Sequence, residues 1–132
     1  MEFYLNQTFT QKFLLNEQVY KNFILCSNDN HPLHTNILFA REKGFEDIIM
    51  HGNILNVFLS YFIGECLPTK HLIINSQDIF YKNPIYLNEE LVLEAVVSGI
   101  FESVRVVEFK YKFLKTDSKL AAKGSFQISL TS

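Results

Sequence analysis

The octapeptide Ser27-Asn28-Asp29-Asn30-His31-Pro32-Leu33-His34 sets a carboxylate, Asp29, five residues ahead of an imidazole, His34. A carboxylate and a histidine held together can share proton work near neutral pH, one orienting a water while the other moves a proton. Pro32 stiffens the turn between them. The same spacing also describes turn formers and surface polar groups. A second stretch, Met50-His51-Gly52-Asn53, opens an apolar run. Backbone N–H groups at a helix start lack intrahelical partners and carry partial positive charge. Gly52 lets a ligand approach that backbone closely, which suits a polarised carbonyl or a developing oxyanion. It equally permits a plain turn into the helix, and His51 reads as structural. Asp29, His31, His34 and His51 also raise a metal reading, since two histidines three residues apart plus a carboxylate can bind zinc. No known zinc spacing is matched, and the expectation is no metal.

These groups need elements to position them. Gln7–Leu14 reads as a short strand. Asn16 is an N-cap for a helix with Glu17 in its first turn and Val19, Phe23 and Ile24 on one face. That helix should stop before Ser27-Asn28-Asp29-Asn30, with Pro32 preventing its return. A short helix fits Asn36–Lys43, with Gly44 as its C′ residue. Gly52–Cys66 carries Ile54, Leu55, Phe58, Leu59, Phe62 and Ile63 at helical spacing, and Val57 and Tyr61 widen the stripe until it nearly encircles the helix. A helix apolar on most sides is a buried one, and Pro68 closes it. After Pro68 the period changes to two. His71–Tyr81, Glu90–Ile100, Val104–Lys115 and Lys119–Ser129 read as long strands, with Val107, Phe109, Tyr111 and Phe113 on one side. Asn83-Pro84, Asn88-Glu89, Ser98-Gly99 and Asp117-Ser118 are the turn signals. Helices followed by consecutive antiparallel strands predict an α+β fold, one buried helix packed on an antiparallel sheet.

Composition narrows the function classes. The chain has 132 residues, with 12 Lys+Arg against 14 Asp+Glu and a net charge of −2. That balance argues against nucleic acid, which needs a basic stripe. Lys110 and Lys112 alternate as residues of one solvated strand face do. Cys26 and Cys66 form no CxxC pair and read as reduced, half-buried thiols. The most apolar stretch, Ile54–Ile63, is about half the ~20 residues of a spanning helix. Met1–Tyr4 shows no signal-peptide pattern. A soluble cytoplasmic protein without membrane contact is expected, as one domain over residues 1–132. Thirteen Phe and six Tyr leave aromatic surface for a large core, a pocket or a subunit contact.

The ordered motifs resemble those of the MaoC-like dehydratases, which include the (R)-specific enoyl-CoA hydratases of the hot-dog fold. That family reads Ser-Gly-Asp-x-Asn-Pro-(Ile/Leu)-His, met here at Ser27, Asp29, Pro32, Leu33 and His34. Its Gly-Phe, His-Gly, Ser, Gly and Leu-Pro are similar to Gly44-Phe45, His51-Gly52, Ser60, Gly64 and Leu67-Pro68. Its Phe-x-x-Pro-Val-x-x-Gly-Asp resembles Tyr81–Glu89. The set spans Phe23 to Glu89, half the chain. His31 replaces the family's Asn, Asn28 its Gly, and Asn53 the usual Met after His-Gly.

The resemblance implies a hot-dog fold, an antiparallel sheet wrapped around a central buried helix. It implies reversible hydration of trans-2-enoyl thioesters of CoA or an acyl-carrier protein, as in fatty-acid metabolism, without a cofactor. By carry-over, Asp29 and His34 activate one water, and the Gly52 N–H bonds the thioester carbonyl. Ser60, His31 and Asn53 are the supporting or substrate-binding polar residues. A homodimer or higher oligomer, with sheets joined edge to edge, is implied. Two alternatives remain. One is a non-catalytic acyl-thioester-binding or partner subunit, motivated by His31. The other is a hot-dog thioesterase, although Gly52–Gly64 lacks the acid many of those use.

Overall fold

The computed structural model describes residues 2–131. Strand β1 (Thr8–Leu15) leads into helix α1 (Glu17–Ser27), then the single turn α2 (Pro32–Thr35), the short helix α3 (Ile37–Glu42) and helix α4 (Ile54–Tyr61). A π-helical turn, Phe62–Cys66, continues α4. Strands β2 (Leu72–Gln77), β3 (Phe80–Tyr81), β4 (Glu89–Phe101), β5 (Val106–Leu114) and β6 (Leu120–Leu130) complete the chain. All pair antiparallel in one sheet of order β1-β4-β5-β6-β2, with β3 beside β2 on β6. This is the expected α+β architecture.

Caps set the helix ends. Asn16 Oδ1 accepts from the Val19 N–H at 3.0 Å and starts α1. Asn28, left-handed at φ 58°, ends it, its N–H donating to the Ile24 carbonyl. Asn36 Oδ1 accepts from the N–H groups of Leu38 and Phe39 and starts α3, and Gly44 follows its end at φ +94°. Pro32 corrects one expectation. Rather than barring a helix it begins α2, where its missing N–H costs nothing.

The core lies between α4 and the concave face of the sheet. Ile54, Leu55, Phe58, Leu59, Phe62 and Ile63 are buried against Leu91, Leu93, Phe109, Phe113, Phe126 and Ile128. Burial of each such side chain is worth ~1.5–3 kcal/mol. Val107, Phe109, Tyr111 and Phe113 all face inward, as their alternation requires. Val57 and Tyr61, however, are 53% and 51% exposed, so the apolar stripe of α4 extends beyond what this sheet covers. Ser98-Gly99 is not a turn. It is a bulge within β4, and the chain reverses instead at Glu102–Arg105. The long strand expected at His71–Tyr81 is broken into β2, itself irregular between Ile74 and Ser76, and β3. Cys66 is half-buried, but Cys26 is exposed because it sits on the outer face of α1. Among the described residues, no helix is long and apolar enough to cross a membrane.

Candidate active site

The end of α1 and the turn α2 build the first half of the site. Ser27 Oγ accepts from the Asp29 N–H at 3.1 Å, and Asp29 Oδ1 accepts from the His31 N–H at 3.0 Å. The Asp29 carboxylate is thus tied back to its own loop. His34 rides on α2. Its Nδ1 lies 2.8 Å from the Ile49 carbonyl, so that nitrogen carries the proton and donates. Nε2 is left as a bare acceptor. The Ile49 N–H donates to the Leu33 carbonyl at 3.0 Å, and the Tyr20 hydroxyl of α1 donates to the His34 carbonyl. Backbone and side chain of His34 are both held.

His51, read as structural, stands between the two. It is 2% exposed, and its Nε2 lies 2.9 Å from the Asp29 carbonyl oxygen, to which it donates. Its ring stacks on His34 with centroids 3.9 Å apart and planes 28° from parallel. Its other nitrogen, Nδ1, is buried without a partner among the described residues. An orphaned buried acceptor costs ~1–3 kcal/mol, and sites that bear such a cost are candidates for function. The signal available in the sequence was only that His51 precedes Gly52. That its ring would brace both Asp29 and His34 depends on a contact 17 residues from one and 22 from the other.

Donor atoms of Asp29, His34 and His51 all lie within 4.8 Å of one another. Because Nδ1 of His34 donates to the Ile49 carbonyl, Nε2 is the nitrogen of that ring able to take up a proton. The electrostatics agree. The His31 N–H bond, and then the neighbouring histidines His51, His34 and His31, hold Asp29 below the usual carboxylate range. Burial holds His34 below the usual imidazole range. The Ile49 carbonyl opposes that shift and the nearby His51 adds to it. At neutral pH the pair is an anion beside a neutral base.

A pocket of about 470 Å³ opens beside His34. Phe45, Ile49, Met50, Pro84 and Ile85 give it apolar walls, and Gly52, Asn53 and Tyr81 stand at the start of α4. The Gly52 N–H has no hydrogen-bond partner among the described residues. A Cβ at Gly52 would lie 2.7 Å from Cε1 of Tyr81, so close ring approach is one reason for glycine here.

The structure therefore brings together Asp29, His34, Gly52 and Asn53. Two expected site residues do not line the pocket. His31 is exposed and caps α2, its Nδ1 accepting from the Leu33 N–H at 3.1 Å. An Asn at that position could accept the same bond, so His31 preserves the brace. Ser60 is exposed on α4, roughly 12 Å along the axis from Gly52 at 1.5 Å per residue, and does not line the pocket. The α4 stripe marks which residues lie inside; Ser60 belongs to its outer edge.

The architecture is that of a hot-dog protein, with a central helix held in the curve of an antiparallel sheet. No family model matches the chain. Over 108 residues, 82% of this chain and 81% of the relative, it is 29% identical to the (R)-specific enoyl-CoA hydratase of Aeromonas caviae. Over 102 residues it is 26% identical to a mitochondrial 3-hydroxyacyl-[acyl-carrier-protein] dehydratase of Arabidopsis thaliana, of which it spans 60%. The solved (R)-hydratase from A. caviae superposes with a TM-score of 0.88 at 25% identity, covering 97% of each chain. A MaoC-like dehydratase from Rhodospirillum rubrum has a TM-score of 0.80 at 16% identity over 98% of this chain and 94% of that one, which bears on the fold. The chain is thus similar to (R)-specific enoyl-CoA hydratases over most of its length and shares the hot-dog fold of the MaoC-like dehydratases.

Proposed function

We propose that the protein is an enzyme catalysing reversible hydration of trans-2-enoyl thioesters to 3-hydroxyacyl thioesters, with Asp29 and His34 as its acid–base pair. The observation that carries this reading is the convergence of an ionised carboxylate and a neutral imidazole with a free Nε2 beside the pocket that holds Gly52. Both groups can accept a hydrogen bond from one water. As the water oxygen bonds to Cβ, one of them takes its proton, the C=C pair moves toward the carbonyl, and charge builds on the thioester oxygen. The Gly52 N–H donates to that oxygen. A proton from the pair then adds to Cα, so water is added across the double bond and both groups return to their starting forms. Dehydration is the reverse. The relatives named above support the reaction class.

Activity is tested by incubating the protein with crotonyl-CoA and following loss of the conjugated-thioester absorbance, with a thiol reagent present in a parallel assay. Absorbance loss without thiol release is expected. Thiol release in step with absorbance loss would make it a thioesterase. Absence of turnover on CoA and carrier-protein thioesters of several chain lengths would defeat the reading. The His31 substitution no longer favours a non-catalytic subunit, since His31 performs the capping task.

We also propose a homodimer. Val57 and Tyr61 of α4 and Leu14 of β1 are exposed, and the half-buried Phe13, which stacks on Phe58 at 4.6 Å, lies beside them. A second copy would cover this apolar face.

A further inference from the structure

Gly52 has no Cβ, and one placed there would stand 2.7 Å from Cε1 and 3.0 Å from Cζ of Tyr81. The phenol ring is therefore seated on bare backbone just ahead of α4. From that seat the Tyr81 hydroxyl donates to Oδ1 of Asn53 at 3.3 Å. Nδ2 of Asn56 donates to the same oxygen at 2.9 Å. Asn56 is held in turn by Gln77 of β2, whose Nε2 donates to Asn56 Oδ1 at 3.3 Å. Burial pushes the Tyr81 phenol up, so its hydroxyl keeps its proton and remains a donor. An amide whose oxygen already receives two donors has its orientation fixed, and its NH2 faces the other way. Asn53 lines the same pocket as His34 and Gly52, and its NH2 finds no protein acceptor among the described residues.

We propose that Asn53, oriented by Tyr81 and Asn56, is a catalytic residue that donates through Nδ2 to the thioester carbonyl oxygen alongside the Gly52 N–H. This role rests on the hydratase reading above. When the water oxygen bonds to Cβ, the π pair of the double bond shifts into the Cα–C–O unit, and the carbonyl oxygen gains charge. It loses that charge when the proton adds to Cα. A donor fixed beforehand at that oxygen is strongest at the moment of greatest charge, so it lowers the barrier more than it tightens substrate binding. Tyr81 and Asn56 act through Asn53 and are positioning residues.

The experiment uses the full chain with crotonyl-CoA as substrate and butyryl-CoA, which lacks the reactive double bond, as the binding probe. Asn53→Asp keeps the oxygen that receives Tyr81 and Asn56 but puts an anion where the donor was. Asn53→Met removes both. We expect kcat to fall about 100-fold or more in Asn53→Asp and roughly 10- to 100-fold in Asn53→Met, with KM within about threefold. Tyr81→Phe, which retains the Asn56 bond, should lose about three- to tenfold in kcat. The Kd for butyryl-CoA should stay within about threefold in all three. Asn53→Asp and Asn53→Met with wild-type kcat would overturn the proposal, and so would a loss of butyryl-CoA binding that tracks the loss of kcat, the mark of a misshapen pocket. A wild-type chain that hydrates no enoyl thioester would overturn the hydratase reading itself, and this role with it. An active wild type indifferent to Asn53 would overturn this role alone.

Discussion

Asp29 and His34 sit a few ångströms apart, and their surroundings keep Asp29 ionised while His34 stays neutral. The His31 N–H and the nearby imidazoles favour the Asp29 anion, while burial disfavours the His34 cation. The sign for activity follows. The working form needs neutral His34, whose pKa lies below the ordinary 6.5, so kcat/KM should hold as pH falls through 6.5 and decline only below it. An acid limb above pH 7 in a pH–rate profile would contradict this. Stability has the same direction. As pH falls below 6.5 the unfolded chain takes up the proton first, and the contribution of neutral His34 is progressively lost. His51 enters the same balance, because its ring opposes protonation of His34. His51→Gln, which can still donate to the Asp29 carbonyl but removes the stacked ring, should move the acid limb upward, and an unmoved limb would count against the brace. Asp29 and His34 were legible in the sequence because a short, ordered motif carries them. His51 was not legible as a brace, since its two contacts are made across the fold. His31 was singled out because it stands where the family has Asn; its place just before Pro32 makes its ring the cap of α2, a role its residue type did not announce.

At the scale of elements, β6 and β3 impose a constraint that no periodicity reveals. A Cβ at Gly124 would lie 2.1 Å from the Asp78 carbonyl oxygen and 2.8 Å from the Tyr111 hydroxyl. The hydroxyl donates to that same carbonyl at 2.7 Å, and Asp78 Oδ1 accepts from the Ser125 N–H at 2.7 Å, so the backbone cannot yield without breaking both bonds. Gly124→Ala should cost ~3 kcal/mol and lower the melting temperature by about 10 °C, measured by thermal denaturation. A shift under 2 °C would show that the Asp78 loop gives way freely. The strands themselves were readable from alternation, α1 from its Asn16 cap and α4 from its apolar spacing, because these signals are local. Ser98-Gly99 was read as a turn because its composition is that of one. In the sheet the residues form a bulge, and β4 runs on to Phe101. Likewise the stripe of α4 announced burial on nearly every side, yet the sheet covers one side only. Hydropathy reports which side chains avoid water and is silent on what covers them.

For the whole molecule, the aromatic surplus divides between the core and surface. Phe58, Phe62, Phe109, Phe113 and Phe126 are buried, whereas Tyr61, Phe80, Tyr81 and Phe101 are half exposed. Under the proposed dimer, Val57→Asp with Tyr61→Asp should place a charged pair in the contact and yield a monomer by light scattering; a monomeric wild type would refute the dimer outright. The central claim is that Asp29 and His34 act as one unit on one water. The direct measurement is the rate of crotonyl-CoA hydration by Asp29→Asn, His34→Ala and the double variant, each checked for a native thermal transition. Positioned acid–base groups contribute ~10²–10⁴-fold, so each single variant should fall by at least 100-fold and the double variant scarcely further, since removing either member disables the pair. Single variants that keep more than a tenth of the wild-type rate, or losses that multiply in the double variant, would contradict it.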